Sequence, residues 1–345
     1  MIEIFRYALA VAVAQTHLWP VGTPWIGWQS VFAFYALSGF LITRVLNERY
    51  GFTPRGTAAF VANRILRLWP AYLFTAAATL IALRFLPLGE YVPTIRVPRD
   101  AFEWLTTLTV LGQVGIDYAG HVDHTKLATT SWSLSIELFC YLVLALGVAR
   151  SPSRLVALAI VGAVLLVWSS LPCIIDPNEL RYGRYCFQNR YGVLQAGFIP
   201  FACGGLIYFH LPAIRAWIEK NALLLVTLLV AMQVATLVSP LVRFTAGPYV
   251  GVPLAACAIA FFGDRRASPT QDFLGRASYH LFIAHMSVAG VLLFGFSAPR
   301  NSPVMWVGTV VICLALSVAL VVVERHVDEY RSVIRARAAS PSVAA

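Results

Sequence analysis

Apolar residues run along this chain in long stretches, and the breaks between them are short, basic and rich in proline and glycine. Stretches near the ~20 residues that cross a bilayer as a helix predict spans at about 4 to 20, 26 to 46, 68 to 88, 131 to 149, 154 to 172, 191 to 210, 222 to 240, 244 to 263, 277 to 297 and 303 to 323. The stretch from Ala101 to Ile116 is apolar on one side only, carries Glu103 and several threonines, and is too short to cross unaided. It is expected to be interfacial or re-entrant. With ten crossings and a cytoplasmic N-terminus most Lys and Arg fall inside, whereas a crossing by 101 to 116 would reverse every later loop and lose that bias. The pattern therefore predicts an all-α polytopic membrane protein with ten transmembrane helices and both termini cytoplasmic. Residues 1–330 would form a single transmembrane domain and 331–345 a flexible cytoplasmic tail.

Composition agrees: 59% apolar residues, 12% charged residues and a mean hydropathy of +0.73 exclude an ordinary soluble domain. The excess of 26 Lys and Arg over 16 Asp and Glu would suggest nucleic acid in a soluble chain, but here the arginines cluster in short loops and fit topology control. Nucleic acid is excluded as a partner. Ala12-Val13-Ala14 resembles a small-residue cleavage site, yet Glu3 offsets Arg6 in the head region, so the first segment is read as a retained helix. The six cysteines show no metal spacing; Cys173 and Cys186 flank an outer loop, where a disulfide would form if that side is oxidising. His121, Asp123 and His124 lack a further ligand cluster, and no metal is expected.

Polar groups inside the spans carry the chemistry, because an ionisable side chain at membrane depth is costly unless it is paired, hydrated or functional. Arg6 and His17 share one face of the first helix: eleven steps of 100° return to within about 20° and climb roughly 16 Å. Ser133, Glu137 and Tyr141 form a polar stripe at i, i+4 and i+8, and Ser278 and His285 form another at i and i+7. For each stripe a hydrogen bond that fixes helix packing is the alternative. Arg64 and Arg67 fall on one turn just before the predicted third span, suited to gripping phosphate or, alternatively, to anchoring on anionic lipid.

These residues carry a family resemblance. Arg6-X10-His17, Phe34-Tyr35-Ala36-Leu37-Ser38-Gly39-Phe40-Leu41-Ile42, Arg64-X2-Arg67, Ser131-Trp132-Ser133-Leu134-Ser135-Ile136-Glu137 with Tyr141, and Ser278-Tyr279 leading to His285 stand in an order that resembles the acyltransferase-3 family. The chain departs from the family's pattern at Leu138-Phe139-Cys140-Tyr141 and at Glu324-Arg325-His326-Val327. The resemblance implies a multi-pass O-acyltransferase of the bacterial inner membrane, taking acyl-CoA, foremost acetyl-CoA, from the cytoplasm and acylating a hydroxyl of a surface carbohydrate or lipid-linked glycan. Neutral imidazole suits deprotonation of a sugar hydroxyl near pH 7, which points to His17 as the base. Glu137 would orient His17 or stabilise its imidazolium if their helices pack face to face, and His285 would bind the acyl carbonyl, or act as base if His17 instead carries the acyl group covalently. Arg6, Arg64 and Arg67 would hold the coenzyme phosphates. Ser38, Trp132, Ser133, Tyr141, Ser278 and Tyr279 would line the substrate cavity, with Trp132 and Trp104 able to stack on sugar rings. The competing class is a transporter or flippase for a glycan or small molecule, which would predict symmetry between halves; the sequence shows no internal repeat.

Overall fold

Capping chemistry starts the longest helices of the computed structural model, which describes residues 1–21, 25–111, 113–114, 125–175, 187 and 190–339, excepting the side chains of 172–175 and 336–339. Thr53 caps α3 (Pro54–Ala82) by accepting from the Gly56 amide, with Pro54 on the first turn. Ser268 and Gln271 form a reciprocal capping box ahead of α12 (Pro269–Phe296), again with proline at the start. The remaining helices are α1 (Ile2–Leu18), α2 (Trp25–Val45), α4 (Leu88–Tyr91), α5 (Ala101–Thr109), α6 (Ser131–Ala145), α7 (Pro152–Ile175), α8 (Phe198–Lys220), α9 (Ala222–Val238), α10 (Pro240–Thr245), α11 (Gly251–Phe262) and α13 (Pro303–Ala339). No strand occurs among the described residues.

Among the described residues six helices are long and apolar enough to cross a membrane: α2 with its continuation to Tyr50, α3, α7, α8, α12 and α13. Helix α1 and the shorter apolar helices Ser131–Ala145, Ala222–Val238 and Gly247–Phe262 cover the other predicted spans. Helix α5 is nine residues long, too short to cross, and is pinned by Glu103, which is buried and accepts from Arg96 and from the Thr125 hydroxyl.

The boundaries differ from expectation where charge or proline interrupts an apolar run. Helix α3 begins at Pro54 rather than near 68, so Arg64 and Arg67 lie well inside a helix and not at its start. A hydropathy window sees only the apolar part of such a helix. Helix α8 extends to Lys220; the predicted end at 210 coincides with a kink at His210, two residues before Pro212. Helix α13 runs past 330 to Ala339.

Helix α2 is the hub. It packs on α1, α8, α11 and α6, while α1 also packs on α12, and α12 on α13 and α3. Glycines permit the closest approaches: a Cβ on Gly204 would stand 1.9 Å from the Ala36 carbonyl oxygen, and one on Gly251 1.9 Å from that of Gln29. Gly204 therefore brings α8 against α2, and Gly251 brings α11. Polar contacts also sort the two ends of the bundle. Arg44, Asn47, Arg215, Asp264, Arg276 and Arg331 pair around the start of α1 and the end of α13. Arg243 over Trp25 and Arg300 over Tyr91 lie at the other.

Candidate functional site

His17, on the last turn of α1, meets His285 of α12: Nδ1 of His17 stands 2.9 Å from Nε2 of His285, with the rings 8° from parallel. The other nitrogen of His285, Nδ1, lies 2.9 Å from the Phe282 carbonyl oxygen and 3.1 Å from that of Leu281. A carbonyl can only accept, so His285 Nδ1 carries the proton. In the neutral pair His285 Nε2 is then an acceptor, and His17 Nδ1 donates to it. This leaves His17 Nε2 with a free lone pair. His285 is fully buried, whereas His17 is exposed.

Glu137 lies elsewhere. Its Oε1 accepts from Ser38 Oγ at 2.6 Å and from the Tyr141 hydroxyl one turn on. The expected contact between Glu137 and His17 is not made, because α6 packs on α2 and α3 while α1 packs on α2 and α12. Glu137 instead borders a cavity of about 40 Å³ together with Arg6, Ser38, Ser133, Ser278 and Tyr279. Six of the residues singled out from the sequence thus border one small space, shared with Val31, Phe34, Tyr35 and Phe282 and large enough for a water molecule. Tyr141 reaches this space through its bond to Glu137. Trp132 packs against Tyr191, 5.0 Å between ring centroids, outside the lining.

Tyr279 is also a wall of a second, larger cavity of about 410 Å³ at the α1-start end of the bundle. Its hydroxyl donates to the Leu68 carbonyl oxygen at 3.0 Å, beside Arg67. Arg67 lines this cavity and lies within electrostatic reach of Arg6, Arg64 and Arg331. Arg6 is paired with Glu3 at 3.1 Å, but Arg64 and Arg67 have no carboxylate partner among the described residues. Arg64 stacks over Phe60, and its Nε is buried without a hydrogen bond. Arg67 thus lines an open vestibule with Arg6 and Arg64 within its electrostatic reach, and of the three only Arg6 is paired with a carboxylate among the described residues. Such a cluster favours a multiply charged anion.

Other polar residues at the vestibule were not singled out by the sequence. His280 is buried, its Nε2 3.0 Å from Glu324 Oε1, and Arg276 bridges Glu324 and Asp328. Arg331 and Arg335 line the same space. His280 adjoins the Ser278-Tyr279 motif, but its partner is 44 positions away on another helix, and no local pattern reveals the pair. His121, Asp123, His124 and Cys186 lie outside the described residues, as does the side chain of Cys173. Among the described residues no cluster of His, Cys, Asp and Glu could hold a metal.

The acyltransferase-3 family model, described as an acyltransferase domain, matches residues 2–323. No curated protein and no solved structure matches the chain. A match across nearly the whole bundle, from α1 into α13, takes in the His17–His285 pair, the Glu137 cavity and the arginine cluster, and the chain belongs to the acyltransferase-3 family of membrane acyltransferases.

Proposed function

We propose that this chain is an O-acyltransferase of the inner membrane that moves an acyl group, foremost acetyl, from cytoplasmic acyl-CoA to a hydroxyl of a surface carbohydrate or lipid-linked glycan. In this reading ten helices cross the membrane and both termini are cytoplasmic. The observation that carries it is the His17–His285 pair, because it leaves an unprotonated imidazole nitrogen on an exposed residue, roughly 16 Å along α1 from Arg6.

The chemistry follows from that arrangement. The phosphates of the donor bind Arg6, Arg64 and Arg67, and the pantetheine arm carries the thioester along α1, roughly 16 Å, to His17. His17 Nε2 removes the proton from the acceptor hydroxyl as its oxygen attacks the thioester carbonyl. The C–S bond then breaks, and the thiolate leaves and takes the proton back from the imidazolium, so no proton is gained or lost. His285 acts through His17: it holds Nδ1 as the donor and keeps Nε2 basic, the role first assigned to Glu137. Glu137, Ser38, Ser133, Tyr141, Ser278 and Tyr279 line the donor's route, and Trp132 stands on the acceptor side.

Membranes holding equal amounts of wild type or His17→Ala, supplied with acetyl-CoA labelled in the acetyl group, test this. Label should enter glycan in the wild type and fall about 100-fold or more in the variant, within the range for a lost general base. Equal labelling would remove His17 from the chemistry.

A further inference from the structure

Glu324, Asp328, Arg331 and Arg335 follow one another at i, i+4, i+7 and i+11 on α13, and all four line the 410 Å³ vestibule. All four lie beyond residue 323, where the family match ends. This part of α13 is fastened to α3 by Asn63, which donates to the Arg331 carbonyl oxygen at 3.1 Å and accepts from Arg331 Nε at 3.3 Å. The carboxylates here are committed. Glu3 pairs with Arg6, Glu324 with His280 and Arg276, and Asp328 with Arg276 and Arg331, while Asp272 sits on the first turn of α12, where the helix dipole favours it. Arg335 makes no hydrogen bond or ion pair with any described residue, and neither does Arg67 on the facing wall. Two guanidiniums without a hydrogen bond or ion pair to any described residue thus face one polar space in which Asp272 alone of the acids has no ion pair among the described residues.

This bears on the donor, and the step rests on the reading of acyl-CoA as that donor. Coenzyme A carries a pyrophosphate and a separate ribose 3′-phosphate. Arg6, Arg64 and Arg67 sit nearest the route to His17, where the pyrophosphate precedes the pantetheine arm. We propose that α13 beyond the family-matched segment forms the subsite for the ribose 3′-phosphate, with Arg335 as its main ligand and Arg331 beside it. The phosphate of an anionic lipid headgroup offers the same chemistry, and the test separates the two.

Full-length protein in nanodiscs of zwitterionic lipid, with and without anionic lipid, is titrated with CoA and with 3′-dephospho-CoA. Wild type should bind CoA about tenfold or more tightly than the dephospho form, the range for one charge-assisted phosphate contact. Arg335→Ala should bring that ratio close to one by weakening CoA alone, in both lipids. Arg335→Lys should keep part of the preference. A ratio unchanged by Arg335→Ala, an equal loss for both ligands, or an effect confined to discs containing anionic lipid would overturn the subsite while leaving the donor reading intact. Failure of the wild type to bind either coenzyme would overturn both. Arg335 makes no contact on which folding depends, so the variant remains a fair reagent.

Discussion

The lone pair on His17 Nε2 depends on two backbone carbonyls of α12, since Leu281 and Phe282 fix the proton on His285 Nδ1. Removing His285 would leave His17 free to take either tautomer and rotate, without removing the base. His285→Ala should therefore cost about 10- to 100-fold in acyl transfer, less than His17→Ala, and the double variant should be no slower than His17→Ala alone. Residues acting as a unit are non-additive in this way. Rates measured on the three variants decide it: a double variant slowed by the product of the single losses would separate the two histidines. Glu137 behaves differently, because its Oε1 is the acceptor for two hydroxyls. Glu137→Gln retains a carbonyl oxygen there and should fold. Glu137→Ala strands Ser38 and Tyr141 and should lose about 1–3 kcal/mol. Thermal unfolding in detergent reports the difference, and equal melting of both variants would contradict it.

At the scale of helices, the contact between α2 and α8 is backbone on backbone. A side chain at Gly204 would meet the Ala36 carbonyl, which cannot move aside as a rotamer can. Gly204→Ala should then destabilise by about 1–3 kcal/mol or more, read as loss of monodisperse protein on size-exclusion chromatography after mild heating. An unaltered profile would mean that the helices separate at little cost. The same helices show what the sequence discloses and what it withholds. Apolar length located every one of the ten predicted stretches on a helix, but charged or kinked helix ends were invisible to it, as at Pro54 and His210. Periodicity placed Ser133, Glu137 and Tyr141 on one face, and Ser278 with His285. It could not say which faces meet. That is why Glu137 was expected on His17, and why the pairing of His280 with Glu324 passed unseen.

For the molecule as a whole, the proposed chemistry requires the vestibule to open to the cytoplasm, since acyl-CoA is made there. The ends of the bundle give this a definite test. Arg276, Arg331 and Arg335 surround the vestibule, and the short connection between α6 and α7, with Ser153 on the first turn of α7 just after it, belongs to the same end because Asn47 donates to the Ala149 carbonyl oxygen. The connection between α12 and α13, with Arg300 over Tyr91, belongs to the opposite end. In a chain cleared of its native cysteines, Arg300→Cys should react with a membrane-impermeant maleimide on cells whose outer barrier is opened but whose inner membrane is intact. Ser153→Cys should react only after the inner membrane is broken. Both positions are exposed, so burial does not limit labelling. The reverse pattern would put the arginine cluster on the side without coenzyme, and no rearrangement of the histidine pair could then rescue a cytoplasmic donor. Labelling of both from outside would mean an even number of crossings from α7 through α12. The orientation argued from the Lys and Arg bias would then hold at Arg300 and fail at Ser153.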